Sequence, residues 1–370
     1  MTTQDGTAGR RTFFTPELLA SEASHAEAPV RGRLLIASCC SGSPLATSAV
    51  SRYRQLQCEA GGSGDLLFLD CVDKRFSDSE TCVRLSSHVG GADAFLFQSL
   101  FDPTSDRAVD QNYVAFLIAA RALRENGAER VTGVLPYLAY ARQDKPTKFT
   151  RESTTARLMA DLTIAAGVGR LIVWDPHCDQ IRGFYGGVPV NALESLTLYI
   201  EEFRDFRGRD DVIAVAPDAG ASKFVTHFGR ALSLKCAIAS KYRPNPEEVV
   251  VSEIIGDFAG KSVAIVLDDM ISNAGTVHAI VKKLATEKGI REIYLGASHN
   301  LCVGKAVDRL RDMYENYNLK AVIVTNSIPQ TAQFADLPFI KVRCLSDTLA
   351  RTINRIHYSR SVSEVFYRPQ

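Results

Sequence analysis

At 370 residues the chain exceeds what one hydrophobic core usually holds, which sets two domains as the expectation. Its 46% hydrophobic and 23% charged residues are those of a globular protein, and a net charge of +1 argues against wholesale capture of nucleic acid or an acidic membrane surface. No apolar run nears the roughly 20 residues that cross a bilayer, and nine scattered cysteines without a CxxC pair suit the reduced, mostly buried thiols of a cytoplasmic protein better than a zinc site.

Residues 1–30 are rich in Ala, Ser, Thr and Glu, without sustained periodicity or an apolar leader, and read as a flexible extension. Phe13, Phe14, Leu18 and Leu19 are its candidates for docking, on the body or on another subunit. From Leu34 the pattern alternates. Strands are expected at 34–38, 66–72, 93–99, 131–138 and 171–177, with helices over 112–126, stopped by Gly127, and 153–166, stopped by Gly167. A softer stretch, 186–195, is the expected boundary between a domain of 31–190 and one of 191–370. Beyond it come strands at 212–220, 236–243, 293–299 and 321–328, and a helix over 223–232. The final helix of the second domain is a candidate to pack back on the first.

Two halves built alike suggest a duplication, and the alternation implies an α/β protein with mostly parallel sheets flanked by helices. Ligands in such sheets sit beyond the carboxyl ends of strands. Arg142, His177, Asp218, Lys241 and Asp268 all fall there.

One stretch organises the rest: Val263–Thr276, VAIVLDDMISNAGT. A buried apolar strand runs into Asp268 and Asp269, then a small polar turn, then a helix over 277–284. Free N–H groups of the turn and the helix start stabilise an anion such as phosphate. The carboxylates suit sugar hydroxyls or a divalent cation beside it. The pattern points to a phosphorylated sugar; an ordinary strand-to-helix turn with a solvated Asp pair is the plain alternative.

Seven pieces occur in order: RFSDSE (75–80), LPYLAYARQD (135–144), DPHCDQIRGF (175–184), APDAGASK (216–223), SKYRP (240–244), EIIGDFAGK (253–261) and VLDDMISNAGT (266–276). With them the chain resembles the ribose-phosphate diphosphokinase (phosphoribosyl-pyrophosphate synthetase) family, as a divergent member. The resemblance implies two phosphoribosyltransferase-like domains with an active site at their interface. The implied reaction moves the diphosphoryl group of ATP to the anomeric hydroxyl of ribose 5-phosphate, with Mg²⁺, for nucleotide biosynthesis.

The resemblance gives Lys241, Arg243 and His177 catalytic roles, and His177 and Asp218 the metal. It places ATP on Phe76, Asp78 and Glu80 from a neighbouring subunit and on Arg142, Gln143 and Asp144. Ribose 5-phosphate falls to Asp268, Asp269, Ser272, Asn273, Ala274, Gly275 and Thr276. A site shared across subunits implies a homo-oligomer, dimer-based and up to a hexamer. Four positions depart from the family pattern: Ser272 stands for an acid, Asn273 for threonine, Ser79 for glycine and Pro176 for leucine. The rival readings are a non-catalytic regulatory paralogue and a phosphoribosyltransferase that consumes the diphosphate product.

Overall fold

The computed structural model describes residues 13–16, 32–62, 64–147, 149–245 and 248–365. They form two compact units, one built from residues up to Leu193 and from Cys344 onward, the other from Glu194–Arg343.

The first unit opens with β1 (Leu34–Ser38), whose five residues are all buried. A strand covered on both faces has no polar side to show, hence the unbroken apolar run. Helix α1 (Ser43–Glu59), with proline in its first turn, leads to β2 (Leu66–Leu69). A short antiparallel hairpin follows, β3 (Asp73–Arg75) and β4 (Thr81–Val83). Then come β5 (Asp93–Phe97), α2 (Val109–Glu125), β6 (Arg130–Leu135), α3 (Thr155–Ala165), β7 (Arg170–Trp174), the single turn α4 (Ile181–Phe184) and β8 (Val190–Leu193). The six long strands form one parallel sheet in the order β2-β1-β5-β6-β7-β8.

Helix α2 shows how the sequence drives the packing. Tyr113, Phe116, Ala120 and Leu123 recur at three- and four-residue spacing and are buried. Sealing each large side chain from water is worth about 1.5–3 kcal/mol. The Gln111 carboxamide accepts from the Ala108 N–H at the start, and Gly127, at φ +90°, ends the helix as its sequence position predicts.

The second unit runs α5 (Leu196–Glu202), β9 (Val212–Ala216), α6 (Ser222–Leu232), β10 (Lys235–Asn245), β11 (Glu248–Ile255), β12 (Val263–Ile271), α7 (Gly275–Thr286), β13 (Glu292–Asn300), α8 (Ala306–Asn316), β14 (Leu319–Thr325), the single turn α9 (Ala332–Ala335) and β15 (Ile340–Arg343). Its sheet has the order β11-β10-β9-β12-β13-β14-β15, parallel except for β10 with β11. Side chains on β12 alternate between two cores. Ala264 and Val266 join Ile280, Leu284 and Leu310, while Val263, Ile265 and Leu267 join Tyr199, Phe228 and Leu232.

With β11 set aside, the two sheets have the same connectivity. This fits the duplication inferred from the sequence. In each, the second strand lies on one side of the first and the third on the other, so the chain reverses direction between β1 and β5 and between β9 and β12.

The last helix, α10 (Ser346–His357), belongs to the first unit. Its Asn354 amide accepts from the Phe14 N–H at 2.8 Å and donates to the Phe14 carbonyl and to the Tyr53 hydroxyl of α1. Phe13 packs edge-on against Tyr53, and both phenylalanines are buried. These two residues therefore dock on the chain's own body, whereas Leu18 and Leu19 lie outside the described residues.

The expectation of reduced, mostly buried thiols is corrected. Cys40 and Cys71 are joined in a disulfide, and of the free cysteines Cys39 alone is buried among the described residues. Parallel pairing of β1 with β2 brings the residues just beyond both strands side by side. A separation of 31 residues hides that pairing in the sequence.

Candidate functional site

In open α/β sheets, ligands collect at the carboxyl edge where the strand order reverses. In the second unit that place lies between β9 and β12. Beyond β9, the Asp218 carboxylate accepts from the Ala221 N–H at 3.1 Å in the turn that leads into α6. Strand β12 runs through both aspartates to Ile271, further than the sequence suggests, because Met270 and Ile271 still pair with His299 and Asn300 of β13. Asp268 accepts from the Asp269 N–H at 2.9 Å. Burial first, then the neighbouring Asp269 carboxylate and that of Asp218, hold Asp268 well above the ordinary carboxylate range. The structure thus brings Asp218, Asp268 and Asp269 together as a group of three carboxyls, a spot that favours a cationic or hydroxylic guest.

The turn after β12 is built for close approach. Ala274 adopts the left-handed conformation at φ +60°, and α7 begins at Gly275, two residues earlier than expected. Asn273 Oδ1 accepts from the Gly275 N–H at 2.9 Å. A Cβ on Gly275 would meet that oxygen at 3.1 Å and Arg309 Nη1 at 3.2 Å, so only glycine fits without displacing a neighbour. The Ser272 carbonyl accepts from the Val303 N–H at 3.1 Å. Ser272 and Thr276 are half-buried and Asn273 is exposed.

Lys241 and Arg243 lie on β10, which pairs with β11 as an antiparallel extension of the sheet. A register shift falls between Ser240 and Lys241. Such bulges re-aim a strand.

In the first unit, the loops after β6 and β7 leave neighbouring parallel strands, and Trp174 N–H donates to the Pro136 carbonyl between them. They carry Arg142, Gln143 and Asp144 on one side and Asp175 to His177 on the other. Arg142, Gln143 and His177 are exposed, while Asp144 is half-buried. Burial, with the Asp144 carboxylate second, pushes the Cys178 thiol up. Asp175 sits at φ +38° just before Pro176, a position where a proline ordinarily favours extended backbone. Strain of this kind persists where the surroundings over-determine the turn.

The hairpin β3–β4 carries the third group. Phe76 at its tip is 52% exposed, so it is not a core residue. Its N–H donates to the Glu80 carbonyl, and Asp78 accepts from the Glu80 N–H at 3.1 Å. Ser79 is left-handed at φ +75°, which accounts for glycine being the residue expected there. A left-handed non-glycine residue costs roughly 1–2 kcal/mol. Ser79→Gly should therefore raise stability by about 1 kcal/mol, read as a higher urea midpoint; an unchanged or lower midpoint would contradict the turn geometry.

The first unit has its own reversal point, between β1 and β5. Ser38, Cys39, Gln98 and Ser99 are buried there, and buried Asp73 accepts from the Cys40 N–H and pairs with Arg107. Sequence reading passed over Arg107, since a lone arginine in a loop carries no pattern. It also passed over Arg309, whose contact with the Asn273 carbonyl joins residues 36 apart.

Among the described residues, the set spaced for a metal is Cys40, Cys71 and Asp73. The two sulfurs are bonded to each other, and Mg²⁺ prefers oxygen ligands, so this group does not suit that ion.

Comparison with known proteins agrees with this architecture. The N-terminal domain of ribose phosphate pyrophosphokinase matches residues 42–167, and the phosphoribosyl synthetase-associated domain matches 212–367. Ribose-phosphate pyrophosphokinase of Chromobacterium violaceum is 36% identical over 79% of this chain and 85% of its own length. That of Clostridium acetobutylicum is 37% identical over 82% and 92%. A crystal structure of phosphoribosylpyrophosphate synthetase from Mycobacterium smegmatis superposes with TM-score 0.74 at 29% identity, covering 88% of this chain and 99% of that one.

Fold and matches together define a two-domain α/β transferase. The chain belongs to the ribose-phosphate pyrophosphokinase family and is an enzyme of that kind, a kinase of nucleotide biosynthesis. No helix among the described residues is long and apolar enough to cross a membrane.

Proposed function

We propose that the enzyme transfers the diphosphoryl group of ATP to the anomeric hydroxyl of ribose 5-phosphate, releasing AMP. The observation that carries this reading is the convergence of Asp218, Asp268, Asp269 and the Ser272–Thr276 turn at the reversal point of the second sheet, in a chain of this family.

In this reading the backbone of residues 273–276 and the Thr276 hydroxyl receive the 5-phosphate. Asp268 and Asp269 accept from the ribose hydroxyls and orient the anomeric carbon. Arg142, Gln143 and Asp144 hold the nucleotide. Phe76 offers an exposed ring face to adenine and Asp78 and Glu80 offer acceptors to its amine, in a neighbouring subunit of a homo-oligomer. Lys241 and Arg243 neutralise charge that builds on the transferring group, the guanidinium as a planar fork and the ammonium as a point charge. Oxygen ligands of the Asp218 type, with His177, would hold Mg²⁺, which supplies charge neutralisation along the phosphate chain. Ser272 removes a negative charge beside the phosphate without removing a donor. Activity is therefore expected to persist, with regulation by phosphate and ADP open to change.

The test is AMP release from ATP and Mg²⁺ with and without ribose 5-phosphate. AMP formed only with the sugar phosphate supports the proposal; no AMP under either condition sinks it.

A further inference from the structure

We propose that Arg309 is a positioning residue of the phosphate turn, acting through the peptide between Asn273 and Ala274. This rests on the reading of that turn as the sugar-phosphate cradle. Arg309 stands on α8 and its Nη1 donates to the Asn273 carbonyl at 2.7 Å. The same nitrogen lies 3.2 Å from where a Cβ on Gly275 would be, so the guanidinium rests directly against the turn. Among the described residues no carboxylate pairs with it.

A trans peptide is planar, with its C=O and N–H pointing in opposite directions. Fixing the Asn273 carbonyl toward α8 therefore aims the Ala274 N–H the other way, into the turn. Ala274 is left-handed, and turns of this type gather successive N–H groups into an anion-binding concavity. The hydrogen bond is charge-assisted, and it polarises the peptide so that its N–H becomes a better donor. The Val303 N–H holds the preceding Ser272 carbonyl from the same segment of chain. Arg309 and Val303 thus grip the outer side of the turn and leave its inner side to the ligand. A positive charge without a carboxylate partner at this point also complements a phosphate dianion.

The test is calorimetric titration of the full chain and its Arg309→Ala, Arg309→Lys and Arg309→Gln variants with ribose 5-phosphate, together with KM for each substrate. A charge-assisted hydrogen bond of ordinary strength corresponds to about tenfold or more in affinity. The expected result is that Arg309→Ala weakens ribose 5-phosphate by that factor and leaves KM for ATP unchanged. Arg309→Lys should recover most of the loss and Arg309→Gln little of it.

Wild-type affinity for ribose 5-phosphate in Arg309→Ala overturns the proposal while the cradle reading stands. A loss shared equally by both substrates, with a lowered thermal midpoint, marks a merely structural role and also overturns it. If Arg309→Ala does not fold, the Lys and Gln variants decide by the same criteria. If the wild-type chain itself takes up no ribose 5-phosphate, the cradle reading fails and this proposal falls with it.

Discussion

Lys241→Ala should lower AMP release by about 100-fold or more while the thermal midpoint stays near that of the wild type. Transfer of a diphosphoryl group asks the protein chiefly for placement and for charge neutralisation as negative charge shifts toward the bridging oxygen. Removing one such preorganised group typically costs ~10²–10³ in turnover. On the backbone, Lys241 directly follows a register shift on β10, where that strand pairs with β11 at the margin of the sheet. Truncation at Lys241 leaves the backbone pairing of β10 with β11 in place, hence the small expected change in stability. Steady-state rates at saturating ATP and ribose 5-phosphate check this result. Near-wild-type turnover in Lys241→Ala would remove it from the chemistry.

Arg107→Ala should destabilise the first unit by about 3–5 kcal/mol. Asp73 is 1% exposed and pairs with Arg107, while its other oxygen accepts from the Cys40 N–H. Without the guanidinium the carboxylate stays buried with a single backbone donor. Folded proteins have only about 5–15 kcal/mol in hand, so the loss is a large fraction of the whole. Urea unfolding followed by circular dichroism measures it. A change below about 1 kcal/mol would mean that water reaches Asp73. Asp73→Asn in the Arg107→Ala background should recover part of the loss, because an amide needs no counter-charge.

Much of this architecture is legible in the chain. Runs such as LLIAS and VIAVA are buried strands from end to end because a parallel sheet covers both faces. Gly127 marks a helix end through its φ requirement. Where the signal is weak, local pattern and tertiary pairing part company. Strand β8 lies inside the stretch read as a boundary, since Val190–Leu193 is short and mostly half-buried and owes its form to pairing with β7. Asp268 and Asp269 read as the point where a strand stops, yet β12 continues three residues beyond Asp268 under pairing with β13.

Site residues were visible as motif positions, but their bracing was not. Asp73 with Arg107, and Asn273 with Arg309, are contacts between residues 34 and 36 apart. No periodicity connects them. The Cys40–Cys71 bond escaped notice for the same reason.

The return of α10 to the first unit has a consequence for synthesis. Tyr53, Phe14 and Asn354 meet through hydrogen bonds that span 301 and 340 residues of chain. Domains generally fold as units while the ribosome adds residues one at a time. The first unit to be made therefore waits with the Tyr53 face of α1 uncovered, whereas Glu194–Arg343 is continuous and complete as soon as it emerges. Chains truncated before residue 346 and released should be cut readily by protease in the first unit and resist cutting in the second. The half made first is the half finished last.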